Sequence, residues 1–83
     1  MADDIADRVK RVTAELLKVD PAKVKDDSRF VEDLGAASIQ SIELVAAFEE
    51  EFGIEMDQDE ALSVKTVGDA VSFISKVMAD QGK

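Results

Sequence analysis

The segment from Phe30 to Gly53 constrains the fold more than any other part of the chain. Phe30 and Leu34, one helical turn apart, run into Gly35 and a small, uncharged Ala36-Ala37. Ser38 then opens a long amphipathic stretch that reaches Phe52 and stops at Gly53. Gly35 permits the tight or left-handed geometry that ends a turn, and Gly53 suits a helix C-terminus. At about 100° per residue, Leu44, Val45, Phe48 and Phe52 gather on one side of this helix as a core stripe. Ile39, Ile42 and Ala46 gather on the other side, among Glu43, Glu49 and Glu50. Carboxylates are almost never fully buried without partners, so that second side faces solvent or another protein. An apolar centre with a polar rim is the anatomy of a protein interface.

Ser38 is expected to cap this helix. Its hydroxyl would lie beside unpaired backbone N–H groups at the positive end of the helix dipole. A phosphate on that oxygen would sit where helix N-termini stabilise anions. An unmodified capping serine fits the same residues, because serine is among the preferred N-caps.

The rest of the chain supplies the other elements. Asp3 or Asp4 is placed to cap a first helix whose apolar residues Ile5, Val9, Val12 and Leu16 follow one helical stripe. Pro21 is expected to stop it, and Asp26-Asp27-Ser28 reads as a polar loop. A short third helix fits Asp57 to Leu62, with Asp57 as its cap. A fourth starts at the β-hydroxyl cap Thr66 and runs to about Met78, with Val67, Ala70, Val71, Ile74 and Met78 inward. The tail from Ala79 to Lys83 is expected to fray. No alternating strand, repeat or low-complexity segment is present, so the prediction is all-α: a four-helix bundle with a short third helix, one domain over residues 1–83.

Composition narrows the function. A chain of 83 residues buries only about 60% of its unfolded surface, enough for one thin core and no deep catalytic cleft. It contains no His and no Cys, so no imidazole base, thiolate nucleophile or nitrogen or sulfur metal ligand is available, and an enzyme is not expected. A calcium loop fails too, because Asp57-x-Asp59 runs on to Ala61 and Leu62 where a ligand and a glycine belong; no metal site is expected. The net charge is −9, and ten acids with no base lie between Arg29 and Lys65. Nucleic acid and anionic membranes need basic surfaces, so both are excluded as partners. An acidic face points to basic proteins, recruited by steering that weakens with salt. Met1 to Arg8 has neither a basic n-region nor an apolar run, so no signal peptide is expected. With no segment of membrane-spanning length, a cytoplasmic monomer is expected.

Phe30-Val31-Glu32-Asp33-Leu34-Gly35-Ala36, Glu43-Leu44-Val45 and Glu49-Glu50-Glu51-Phe52 resemble the most recognisable wording of the acyl carrier proteins. The resemblance runs without a gap from the first helix to the last. It implies that Ser38 takes 4′-phosphopantetheine through a phosphodiester, the terminal thiol then holding acyl groups as thioesters in fatty acid or specialised lipid or polyketide biosynthesis. It also implies a phosphopantetheinyl transferase and basic-surfaced acyl-transferring or synthase enzymes as partners, gripping Glu43, Glu49 and Glu50 with Ile39 and Ile42. Ala37 and Ala46 complete the expected partner surface. Two departures stand beside the serine: the family's acid before it is Ala37, and the acid usual two residues after it is Gln40. They imply a specialised carrier with its own partners, or one that a housekeeping transferase modifies poorly. Gly35-Ala36 lacks the Gly-Gly opening of peptidyl carriers, which implies acyl cargo. Phe48, Met56, Ala61 and Leu62 are expected to be ordinary packing rather than a sheath for that cargo. The alternative function is an unmodified acidic helical adaptor of the same fold.

The run of ten unopposed acids makes the folded state self-repelling. Thermal melts should show a Tm that rises toward physiological salt, where the Debye length is about 8 Å, and rises further with millimolar divalent cations. A flat or falling trend would mean that the acids are compensated internally.

Overall fold

The computed structural model describes residues 5–82, so the capping role expected of Asp3 or Asp4 lies outside the described residues. Four α-helices form a bundle: α1 (Ile5–Leu17), α2 (Ser38–Phe52), α3 (Gln58–Leu62) and α4 (Val67–Asp80). A 3-10 turn, Pro21–Lys23, sits between the first two. Among the described residues there is no strand, only an isolated antiparallel bridge between Arg29 and Thr66. Helix α1 packs on both α2 and α4, and the short α3 packs on α2. The all-α bundle with a short third helix is therefore what this sequence folds into.

The stripe of α1 buries Val9, Thr13 and Ala14, with Val12 and Leu16 half-buried against the same core. Its end differs from expectation. The helix stops at Leu17, before Pro21, because Lys18 turns left-handed with φ 58°. The Val19 N–H then reaches back to the Ala14 carbonyl at 3.1 Å, the long bond that closes such helix ends. Pro21 instead starts the 3-10 turn, whose Ala22 N–H is capped by Asp20 Oδ1 at 2.9 Å. Nor is Ser28 part of a solvated loop. It is buried, its Oγ accepting from the Lys25 N–H (3.0 Å) and donating to the Lys23 carbonyl (3.2 Å).

Three backbone hydrogen bonds then pin residues 26–30 to the start of α4. Gly68 N–H donates to Asp26 O at 2.7 Å, Val67 N–H to Ser28 O at 2.9 Å, and Phe30 N–H to Lys65 O at 3.0 Å. Immediately after this seam the chain coils into one turn, closed by the Leu34 N–H on Arg29 O (3.0 Å) and the Ala36 N–H on Phe30 O (2.9 Å). Gly35, at φ 74°, supplies the left-handed residue that ends the turn. Phe30, Leu34 and Ala36 all point inward and are buried. The turn delivers the chain to α2, which buries Leu44, Phe48 and Phe52 and ends on Gly53 at φ 64°.

Helices α3 and α4 begin as their sequences predict. Asp57 Oδ1 caps the Glu60 N–H at 3.1 Å and Thr66 Oγ1 caps the Asp69 N–H at 3.1 Å. Val67, Ala70 and Ile74 of α4 are buried and Val71 and Met78 half-buried. The far end is more ordered than expected, because α4 reaches Asp80 and the next residue is held. Gln81 Nε2 donates to Glu55 O at 2.7 Å, and Gln81 Oε1 accepts from the Glu55 N–H at 3.2 Å. One side-chain amide thus grips both polar groups of a backbone position in the loop between α2 and α3.

The seam explains why position 68 is glycine. A Cβ there would stand 2.9 Å from the Asp26 carbonyl oxygen, a backbone atom with no side-chain freedom to yield. Gly68→Ala should lose about 1–3 kcal/mol by forced backbone displacement, read as a fall in the urea midpoint. An unchanged midpoint would show that the seam relaxes without cost.

Candidate functional site

Ser38 is the first residue of α2, one place inside the helix rather than its cap. The cap position belongs to Ala37, in extended geometry (φ −78°, ψ 166°) and without a side-chain hydrogen bond. Alanine there forgoes about 0.5–2 kcal/mol that an oxygen-bearing cap supplies. The turn is closed in another way. Gln40 Oε1 accepts from the Ala37 N–H at 2.9 Å. Ser41 donates to the Ala37 carbonyl through its N–H (3.0 Å) and its Oγ (3.4 Å). Ser38 itself is exposed, and the first turn of α2 contains no acidic residue. Its hydroxyl therefore stands at the positive end of a fifteen-residue helix with no carboxylate in the same turn.

The outward side of α2 is as the periodicity predicts, with one exception. Ile39 is 66% exposed and Ile42 45%, and Glu43, Ala46 and Glu50 are exposed around them. Glu49 is the exception. It is half-buried, and its Oε2 accepts from the Met56 N–H at 2.8 Å, so it holds the loop after α2. Two further apolar residues join the exposed surface, Val31 at 57% and Leu62 at 37%. Glu51 is turned the other way: its Oε2 meets Arg8 Nε at 2.9 Å and Arg11 Nη2 at 3.5 Å. Part of the acidic run is thus neutralised by α1, whereas Glu43 and Glu50 form no ion pair among the described residues.

Behind this face lies a cavity of about 260 Å³. Phe48, Met56, Ala61 and Leu62 all line it, and the ordinary packing expected of them is therefore incomplete. Val31, Val64 and Phe73 also line it, as do Glu32, Ser41 and Lys65. Sequence reasoning missed Phe73, which lies roughly 90° around α4 from the buried stripe at the helical rotation per residue. A large aromatic off the stripe was the available signal.

The turn preceding Ser38 is braced electrostatically. The Arg29 N–H donates to Asp33 Oδ2 at 2.8 Å, and this bond holds the Asp33 carboxyl below the usual carboxylate range. The Arg29 guanidinium adds to the effect, its Nε lying 3.3 Å from the same oxygen.

The structure is a four-helix bundle with an exposed serine at the head of its second helix and an apolar, acid-edged face beside it. The model of the phosphopantetheine attachment site matches residues 7–74, a span that includes Ser38. The acyl carrier protein of Sinorhizobium fredii (strain NBRC 101917 / NGR234) is 54% identical over 76 residues, covering 92% of this chain and 97% of that protein. Acyl carrier protein AcpP of Rhizobium meliloti (strain 1021) matches with the same identity and coverage. This chain belongs to the acyl carrier protein family, carriers rather than catalysts, which work on a covalently attached 4′-phosphopantetheine. Such carriers meet a phosphopantetheinyl transferase and acyl-transferring or synthase enzymes.

The residues present fit that group. An exposed hydroxyl at a helix N-terminus with no acid in its turn suits a phosphodiester anion, since unpaired N–H groups and the dipole favour negative charge there.

The Asp33 brace has a pH signature. Its folded pKa is lowered, so its contribution to stability is present above the unfolded pKa and is lost as the pH falls through the lowered folded value. The stability gap between wild type and Asp33→Asn should therefore shrink on acidification. A carbon-detected NMR titration should place the Asp33 midpoint below that of aspartate in an unfolded peptide; a midpoint at or above it would contradict the brace.

Proposed function

We propose that Ser38 carries the 4′-phosphopantetheine and that the outward side of α2 is where partner enzymes dock. The observation that carries this reading is the exclusiveness of Ser38 among the chain's hydroxyls. Ser28 is buried in two hydrogen bonds, and Ser41 is spent on the Ala37 carbonyl. Ser63 Oγ donates to Glu60 O at 2.7 Å, Thr66 caps α4 and Thr13 is fully buried. Ser72 and Ser75 lie inside α4, away from any helix terminus. Ser38 alone joins a free helix N-terminus to an exposed apolar strip.

In the loading reaction Ser38 Oγ attacks the pantetheine-side phosphorus of coenzyme A. The Oγ–P bond forms as the phosphoanhydride P–O bond breaks, and adenosine 3′,5′-bisphosphate leaves with the electron pair. The hydroxyl proton passes to a base on the transferase. When bound, the arm supplies a terminal thiol that holds acyl groups as thioesters on a mobile tether. The protein's own residues supply recognition. Ile39, Ile42 and Ala46 form the apolar centre of the docking face, with Ala37 at its edge. Glu43 and Glu50 supply free charge for a basic partner, and Glu49 borders the face while holding the loop. Exposed charges of this kind act mainly on association rate and register.

The cavity points to a hydrocarbon cargo. At about 260 Å³ it exceeds the ~150 Å³ apolar cavity known to hold benzene, and it opens beside Val31 and Leu62, both exposed. Fatty acyl or specialised lipid or polyketide intermediates fit this lining. The chain is free of cysteine, so no side-chain thiol competes for a thioester. Among the described residues no helix is long and apolar enough to cross a membrane. The acidic, cysteine-free composition supports a cytoplasmic carrier.

Intact-mass spectrometry after incubation with coenzyme A and a broad-specificity transferase decides the central assignment. Wild type should gain one arm and Ser38→Ala none. Glu43→Lys should load more slowly, with a rate less dependent on salt than that of wild type. An arm on Ser38→Ala would overturn the attachment reading; wild type that never loads would favour the adaptor.

A further inference from the structure

We infer that Gln40 is a positioning residue for arm transfer: its side chain, in place of a capping residue, fixes the turn that presents Ser38. The inference rests on the attachment reading above. Ala37 offers no side-chain acceptor at the cap, yet its peptide groups are gripped from both sides. Gln40 Oε1 takes the N–H at 2.9 Å, and Ser41 reaches the carbonyl through its N–H at 3.0 Å and its hydroxyl at 3.4 Å. Ser38 is covalently joined to that carbonyl, so the direction from which its hydroxyl leaves the helix is set by two neighbouring side chains. Gln40 supplies the reciprocal half of a capping box, the third helical residue reaching back to the cap backbone. The half that Ser, Thr or Asp would supply is missing, which leaves Gln40 as the side chain fixing the chain's entry into α2.

The choice of an amide has a consequence of its own. A glutamate would accept the same bond but would put a carboxylate in a turn that has none. Glutamine closes the turn and leaves it neutral, so the anion formed on Ser38 meets helix N–H groups without a like charge beside it. Position 40 thus separates into two measurable properties, an acceptor that positions and a charge that does not.

The experiment uses the full-length apo protein, coenzyme A and a broad-specificity transferase, read beside amide hydrogen exchange. In wild type the Ala37 amide should exchange at least tenfold more slowly than that of Ile39, a ratio set by the Gln40 bond. Gln40→Ala should abolish that protection and lower kcat for arm transfer by about tenfold with KM little changed, because displacing a nucleophile slows the chemical step. Gln40→Glu should restore the protection and raise kcat well above that of Gln40→Ala, its added charge appearing as a residual, salt-dependent deficit against wild type. Fast exchange at Ala37 in wild type overturns the inference whatever the variants do, including a Gln40→Ala that fails to fold. A loss confined to KM overturns it as well, since it would make Gln40 a docking contact. An arm on Ser38→Ala marks failure of the attachment reading instead; a wild-type kcat in Gln40→Ala, with Ser38→Ala unloaded, marks failure of this one.

Discussion

The backbone seam between residues 26–30 and the start of α4 is the contact on which the functional end of the molecule depends. Its three hydrogen bonds, at 2.7, 2.9 and 3.0 Å, join segments that are far apart in sequence and close the crossing from α1 to α2. Without the seam, the long connection after α1 would be a loop whose buried peptide groups lack partners, a cost that native structures avoid. With it, Phe30 enters the core at a fixed point and the turn ending at Gly35 begins in register. Ala36 is then buried while Ala37 and Ser38 emerge. The serine is thus placed by a contact several residues away, itself dependent on the missing Cβ of Gly68.

Helix α2 is held differently at its two ends, and the difference matches its work. At the C-terminal end Arg8 lies 4.5 Å from the centre of the Phe52 ring, with its Nε on Glu51 Oε2 and its Nη2 on the Glu51 carbonyl. A cation there satisfies a late carbonyl and opposes the negative end of the dipole. The N-terminal end has no charge at all in its first turn. It is closed by neutral groups, Gln40 and Ser41, and stays open to an anion. The fixed end anchors α2 against α1, while the neutral end leaves its partial positive charge unopposed beside the Ser38 hydroxyl.

The acidic composition divides in the same way. Glu51 is consumed by α1, Asp33 by its own turn and Asp57 by capping α3. Glu49 secures the loop after α2 through the Met56 N–H, whereas Glu55 is held through its backbone, by Gln81. The charge that remains free on α2, at Glu43 and Glu50, surrounds Ile39 and Ile42. A carrier that must be recognised by several enzymes in succession is served by an exposed face of this kind, since rim charge speeds encounter without making release slow.

Local periodicity decided much of this protein before any tertiary contact formed. The stripes of α1, α2 and α4, the caps Asp57 and Thr66, the stop at Gly53 and the outward strip beside Ser38 were all legible, because each depends on residues within one or two helical turns. Ends set by backbone geometry were not. Pro21 is the stop that the sequence predicts for α1, yet Lys18 in the left-handed region ends it, and no residue type announces a left-handed lysine. Serine favours the cap position, yet the cap is Ala37 and Ser38 is the first helical residue. Glu49, Phe73 and Gln81 took roles that pattern could not assign, since a hydrogen bond across 26 residues or an aromatic lining a cavity exists only after the helices have packed. The sequence by itself determined four helices and put Ser38 at the head of the second, beside an apolar strip edged with acids. Only the tertiary structure decided what closes the turn before that serine and where a cavity opens beside the core, because those depend on distances between segments that the chain order does not contain.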